Sequence, residues 1–334
     1  MTPEELFAHA RVFALPMKRE FRGVVVREGL LFEGPSGWGE FAPFHDHTDA
    51  HAAGWLEAAL EQAFGTWPTP LREHIPVNAI IPISDAETAR DWTEDALARG
   101  CTTVKIKVGS PIFDADVARV AAVRSAMDDA GVAGAIRIDV NRLWTIADAL
   151  QRIPVLDAIA SGLEYVEQPV NDRLGLRELH ARLDVPIAVD EGIRLSEDPR
   201  AAAIALHEIA DVAVLKAIPL GGVRAALEVA EHTRLPVVVS GSLDTSVGLA
   251  SGLHLAGALP DLPYACGFGT GALLRNDVVT HPRRVVDGHL VVERVVPEQC
   301  DPASLVDAAM RARWRARLER AWQHARIPAQ VEAM

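Results

Sequence analysis

The chain has 334 residues, 49% of them hydrophobic and 24% charged, with a formal net charge of -13. This is the composition of a globular enzyme of one large domain, or one large and one small. The acid surplus excludes the basic footprint that nucleic-acid binding requires.

The amino terminus, MTPEELFAHARVFALP, carries acids where a signal peptide carries its positive charge. Residues 11–44 then alternate like antiparallel strands, with a turn expected at Glu28-Gly29 or Gly34-Pro35. Residues 50–65 read as a helix. Before it lies HDHTDAH, with His45, His47 and His51. It has no acids arranged to complete a metal geometry and reads as a solvated loop and helix start.

From residue 78 the chain takes on a beat. Apolar, β-branched runs recur at NAIIPI (78–83), TTVKIKV (102–108), AIRIDV (135–140), LEYVE (163–167), PIAVDE (186–191), VAVLKA (212–217), PVVVSGS (236–242) and YACGFG (264–269). Helical spacing separates them, and they start about 25 to 30 residues apart, the size of a strand–helix unit. Runs this continuously apolar belong to a parallel sheet buried on both faces, and eight of them close a barrel. Downstream, RRVVDGHLVVERV reads as a hairpin turning at Asp287-Gly288, and a basic helix fills roughly 302–327. The expected fold is α/β: a modified TIM-like (β/α) barrel over 76–275. Segments 1–75 and 276–334, from both chain ends, form a small α+β capping domain.

No apolar run reaches the roughly 20 residues of a membrane helix; the longest candidate, 235–259, is broken by Ser240, Ser242, Asp244 and His254. Three widely spaced cysteines, Cys101, Cys266 and Cys300, form no disulfide or zinc pattern, which fits a cytoplasmic setting. Cys266 has no His placed to activate it and reads as core or wall.

The chemistry lies at the ends of the runs. Asp139, Glu167 and Asp190 end the third, fourth and fifth; Lys105 and Lys107 share one face of the second, and Lys216 ends the sixth. Barrel active sites lie at the carboxyl ends of the strands. Three buried acids need a cation, and three hard oxygen donors suit Mg²⁺, with Mn²⁺ also possible. In an eight-stranded ring the second and sixth strands are opposed, so Lys107 and Lys216 face each other across the site. A substrate carboxylate bound there has a more acidic α-proton. Lys107 takes it as base, its pKa lowered by the metal and by Lys105. Asn141 is read as a support of the metal site or a turn cap, and Glu191 as orienting a lysine.

Lys-x-Lys, three successive acids and a further Lys resemble the enolase superfamily, in its muconate-lactonizing subgroup. Sites of that superfamily use a Lys or His base with Mg²⁺. FRGVVVREGLLFEGPSGWGEFAPF, YVEQPV, AVDEGIR, VLKAIPLGGV and VVVSGSLDTSVGLA narrow the resemblance to the o-succinylbenzoate synthase family, across essentially the whole chain. The resemblance implies dehydration of 2-succinyl-6-hydroxy-2,4-cyclohexadiene-1-carboxylate to 2-succinylbenzoate, in menaquinone biosynthesis. It implies Asp139, Glu167 and Asp190 as metal ligands, Lys107 as base and then acid, and Lys216 as the cation opposite. It places Ser240, Gly241 and Ser242 at the succinyl end, and Arg22 in a loop of the capping domain that covers substrate. The alternative in the same subgroup is an N-acylamino acid racemase or dipeptide epimerase, with the same lysines and acids. A metal-free Schiff-base aldolase using Lys216, or a non-catalytic barrel, accounts less well for the three acids. Oligomeric state stays open.

Overall fold

The computed structural model describes residues 1–21, 23–298, 305–328 and 331. Three strands, β1 (Arg11–Phe21), β2 (Val24–Gly34) and β3 (Gly37–Phe41), form an antiparallel sheet in the order β1-β2-β3. A short helix α1 (Pro3–Ala8) precedes them, and α2 (Asp49–Phe64) lies across the sheet. The helix comes that close because Gly39 has no side chain: a Cβ there would stand 2.2 Å from the Ala59 carbonyl oxygen. The turn expected at Glu28-Gly29 is not one. Gly29 sits inside β2 opposite Phe13, and its lack of a Cβ makes room for that ring. The Gly34-Pro35 alternative does mark the β2–β3 connection.

β4 (His74–Pro76) leads into a parallel sheet of β5 (Ala79–Ile81), β6 (Thr103–Lys107), β7 (Ala135–Asp139), β8 (Leu163–Glu167), β9 (Ile187–Val189), β10 (Val212–Leu215) and β11 (Val237–Val239), in strict sequential order. Crossover helices α3 (Ala86–Ala98), α4 (Phe113–Asp129), α5 (Ile146–Ala160) and α6 (Arg173–Arg182) follow successive strands from β5 onward. After β9 come two short helices, α7 (Glu191–Arg194) and α8 (Pro199–Ile204); α9 (Val223–His232) and α10 (Ser246–Ala258) follow β10 and β11. The eighth run departs from expectation. YACGFG forms no regular strand but makes two parallel bridges, Val77 to Cys266 and Ser240 to Gly267, which join the two edges of the sheet. Two glycines in six residues, Gly267 and Gly269, explain why this closure is loose.

The turn expected at Asp287-Gly288 forms, closed by an antiparallel bridge between Val286 and His289, but the hairpin goes no further: β12 (His289–Val291) pairs antiparallel with β4. The tail helix α11 (Ala308–Trp322) returns to the first sheet, with Trp314 edge-on to Phe41 at 6.0 Å. Arg22 and Cys300 lie outside the described residues. Among the described residues no helix is long and apolar enough to cross a membrane.

Two carboxylates seat the first unit on the barrel. Glu61 of α2 accepts from the backbone N–H groups of Val223 and Arg224, at 2.6 and 3.0 Å, at the start of α9. Gly222, with φ of +120°, leaves room for it: a Cβ there would lie 2.3 Å from a Glu61 oxygen. Glu40 of β3 does the same for α10, accepting from Thr245 N at 3.2 Å, Thr245 Oγ1 at 2.5 Å and Gly248 N at 2.9 Å. Both acids occupy helix N-termini, where the backbone favours negative charge. Both helices follow strands whose ends carry the candidate site.

Candidate active site at the strand ends

Strand periodicity arranges the inward side chains in layers. Register pairs Lys105 with Arg137 and Tyr165, and above them Lys107 with Asp139 and Glu167. In the lower layer Arg137, fully buried, lies 4.7 Å over the Tyr165 ring and donates to Asn78 Oδ1 and the Ala265 carbonyl. This closes the barrel beneath the site.

The upper layer is a chain of ion pairs. Lys105 Nζ bridges Glu167 at 2.5 Å and Asp139 at 2.9 Å. Lys107 Nζ donates to Asp139 at 2.6 Å and to Asn141 Oδ1 at 2.6 Å. Lys216 Nζ donates to Asp190 at 2.5 Å. Asp139, Glu167 and Asp190 are each 1% exposed or less.

Electrostatics divide the two neighbouring lysines. Burial works against the charge on Lys105, but Asp139 and Glu167 outweigh it and hold its pKa well above the usual value. Burial also works against Lys107, and there it wins: Asp139 opposes it, Lys105 adds to it, and the pKa falls. Lys105 is thus a fixed cation and Lys107 the amine more ready to give up its proton. Burial and the nearby Asp139 push Glu167 up to about 7. Asp190 loses solvation on burial, yet Arg194 and Lys216 bring it down to about 2.

Among the described residues no three acid, His or Cys side chains are gathered closely enough to ligate a metal as they stand. Each carboxylate is turned onto an ammonium instead. The donor set nevertheless suits a divalent cation: three hard-oxygen side chains on adjacent strand ends. Glu167 Oε1, moreover, is buried with no hydrogen-bond partner among the described residues.

A cavity opens above these ion pairs. Lys105, Lys107, Asp139, Asn141, Lys216, Ser240, Gly241 and Ser242 line it, so eight of the residues singled out in the sequence meet there. The capping unit supplies Phe21, Phe44, His47 and Trp55. His47 therefore faces the cavity; the HDHTDAH cluster is more than a solvated loop. Cys266 is fully buried, its thiol pushed up to about 12 by burial, as befits a wall residue.

Three supporting residues escaped the sequence reading. Arg194 donates to Asp190 Oδ1 at 3.0 Å and Glu191 Oε1 at 2.9 Å and lines the cavity. Gln168, with φ of +43°, accepts from the N–H groups of Asp190 and Gly192 through one oxygen. Arg27 of the capping sheet reaches the Leu243 carbonyl. Glu191 orients no lysine: it accepts from Asn141 Nδ2 and Arg194 instead. Arg194 was the most accessible of these to sequence, sitting one helical turn after Asp190.

Comparison with known proteins places this site in a lineage. Residues 87–297 match the family described as enolase C-terminal domain-like, and residues 12–63 the one described as enolase N-terminal domain-like. An o-succinylbenzoate synthase from Thermobifida fusca is 48% identical over 92% of this chain and 94% of its own. The chain belongs to the o-succinylbenzoate synthase family of the enolase superfamily. A second such synthase, from Mycolicibacterium smegmatis, is 44% identical over 93% of this chain and 94% of its own. One from Mycobacterium tuberculosis (strain H37Rv) is 42% identical over 93% and 92%. Among solved structures, the L-Ala-D/L-Glu epimerase of Bacillus subtilis superposes with a TM-score of 0.73 at 22% identity, covering 86% of this chain and 96% of that one. Muconate lactonizing enzyme from Pseudomonas fluorescens gives 0.71 at 22%, over 86% and 94%. These two share the fold: a modified TIM-like barrel with a capping domain. Enzymes of this superfamily work with a divalent metal.

Proposed function

We propose that the protein is an o-succinylbenzoate synthase, a hydro-lyase that removes water from 2-succinyl-6-hydroxy-2,4-cyclohexadiene-1-carboxylate to give 2-succinylbenzoate, a step of menaquinone biosynthesis in the cytoplasm. The observation that carries the reading is the run of pairs from Lys107 through Asp139, Lys105 and Glu167, then Asp190 and Lys216, of which Lys105, Lys107, Asp139 and Lys216 line one cavity. The 42–48% identical synthases support the choice of substrate.

Asp139, Glu167 and Asp190 would hold Mg²⁺, which when bound withdraws charge from the substrate carboxylate and makes the neighbouring C–H more acidic. Lys107, drawn toward the neutral amine by burial, removes that proton. Asn141 Oδ1 accepts from its Nζ and fixes where the lone pair points. Lys216, as a cation, stabilises the negative charge that develops on the substrate oxygens. The Lys107 ammonium then returns the proton to the departing hydroxyl, so water leaves and the ring becomes aromatic. Lys105 stays charged and holds Asp139 and Glu167 in place. Ser240, Gly241 and Ser242 receive the succinyl arm, and Phe44 and Trp55 exclude water above it. The substrate is a small carboxylate, and the acidic surface offers nothing to nucleic acid.

The test follows the diene absorbance of freshly generated substrate with Mg²⁺, then with EDTA. Metal-dependent loss of the diene supports the reading; no turnover by folded, metal-loaded protein overturns it.

A further inference from the structure

Arg27 is a buried cation that the reaction as described leaves unused. It sits on β2, 2% exposed, and its Nε donates to the Leu243 carbonyl at 2.9 Å, tying the capping sheet to the barrel. Its Nη2 is buried with no hydrogen-bond partner among the described residues. The guanidinium lies 4.8 Å over the Phe44 ring and 5.6 Å from that of Trp55. Phe44, Trp55 and Leu243 all line the cavity, so Arg27 stands directly behind its capping-domain wall.

Its partner is unusual. Leu243 has φ of +65°, a left-handed conformation that a branched apolar residue adopts only when its surroundings enforce it. It ends the segment Ser240–Gly241–Ser242. On one side this segment is fixed within the barrel: Gly241 N donates to the Gly267 carbonyl, and Ser242 N to Asp244 Oδ2 at 2.8 Å. Arg27 supplies the restraint from the capping domain. A long, cationic side chain is buried here at the expense of its hydration, and the hydrogen bond it makes falls on the strained residue beside the cavity.

We propose that Arg27 is a positioning residue for recognition of the substrate's second, succinyl arm. By holding the Leu243 carbonyl it keeps the turn left-handed and fixes how Ser240 and Ser242 face the cavity. Ligands bearing the arm sense it; ligands that fill only the ring end, at the lysines and acids, do not. The inference rests on the synthase reading and refines it.

The test uses full-length, metal-loaded wild type, Arg27→Met and Arg27→Lys. It measures kcat and KM for the substrate and the dissociation constants of 2-succinylbenzoate and of benzoate. In Arg27→Met, KM and the 2-succinylbenzoate constant are expected to rise about ten- to a hundredfold, the range for losing a hydrogen bond to a charged group. The benzoate constant and kcat should hold within about threefold, and Arg27→Lys, which keeps a donor, should recover much of the loss. Equal weakening of both ligands, a fall in kcat at constant KM, or no change overturns the proposal while leaving the synthase reading intact. Wild type that neither turns over substrate nor binds 2-succinylbenzoate overturns both. If Arg27→Met does not fold, Arg27→Gln, whose Nε2 can replace the Nε donor, should keep both dissociation constants within about threefold of wild type, and a selective weakening of 2-succinylbenzoate there overturns the role of this hydrogen bond.

Discussion

Replacing Glu40 by Ala probes how the capping unit is held over the site. The change strands three buried donors, Thr245 N, Thr245 Oγ1 and Gly248 N, at the start of α10. One unsatisfied buried group costs about 1–3 kcal/mol, and the three are not additive because one carboxylate serves them all. Removing one partner from a buried charged cluster costs about 3–5 kcal/mol in total. With an unfolding entropy of about 2.1 cal/mol/K per residue over 334 residues, that corresponds to a fall of about 4–7 °C in Tm. Differential scanning calorimetry at pH 7.5 gives the value, and a loss under about 1 °C would refute the reasoning. The pH dependence adds a check of sign. Burial first, then the nearby Asp244, push Glu40 up to about 7, against the pull of Arg27, the Thr245 hydroxyl and the Gly248 N–H. The folded state therefore binds this proton more tightly than the unfolded chain, whose carboxyl titrates near 4.5. Its contribution is full below the unfolded value and is lost as pH rises toward about 7. The Tm advantage of wild type over Glu40→Gln should be larger at pH 5 than at pH 8. A difference that stays flat or grows with pH would contradict the assignment.

Three further outcomes follow from the site. Arg194→Met leaves Asp190 and Glu191 without their guanidinium, and the expected loss in kcat/KM is about 10- to 100-fold, as for other residues that orient ligands; steady-state kinetics decide it. Asn141 has φ of +50°, so Asn141→Val should lower Tm more than Asn141→Gly, while both release Lys107 and depress kcat. Added Mg²⁺ at about 100 times its dissociation constant should stabilise the fold by about 2.7 kcal/mol. Asp190→Asn should remove most of that thermal shift, read by calorimetry without any turnover.

The parts of this protein legible in the sequence are those that repeat. Period-two alternation put Lys105 and Lys107 on one face, and the strand–helix beat placed Asp139, Glu167 and Asp190 on neighbouring strand ends. The eighth run misled because its apolar residues are interleaved with glycine, which weakens a strand without erasing its hydrophobic signature. Glu28-Gly29 looked like a turn pair, yet Gly29 is there for the Phe13 ring. Arg27 and Glu40 were illegible for another reason. Each partners a residue more than 200 positions away, Leu243 and Thr245, and VVVREGLL or GWGEF alone carries no trace of that contact. Gln168 reaches Asp190 from 22 positions away, whereas Arg194 sits only four residues after it.

The central claim is that Lys107 and Lys216 carry the dehydration between them. Its most direct test is turnover of 2-succinyl-6-hydroxy-2,4-cyclohexadiene-1-carboxylate by Lys107→Ala and Lys216→Ala, each with Mg²⁺ and with fold checked by circular dichroism. Both variants should remain folded and lose at least about a thousandfold in kcat, as expected when a base or its opposing electrostatic partner is removed. A folded Lys107→Ala enzyme that turns over within about tenfold of wild type would contradict the account.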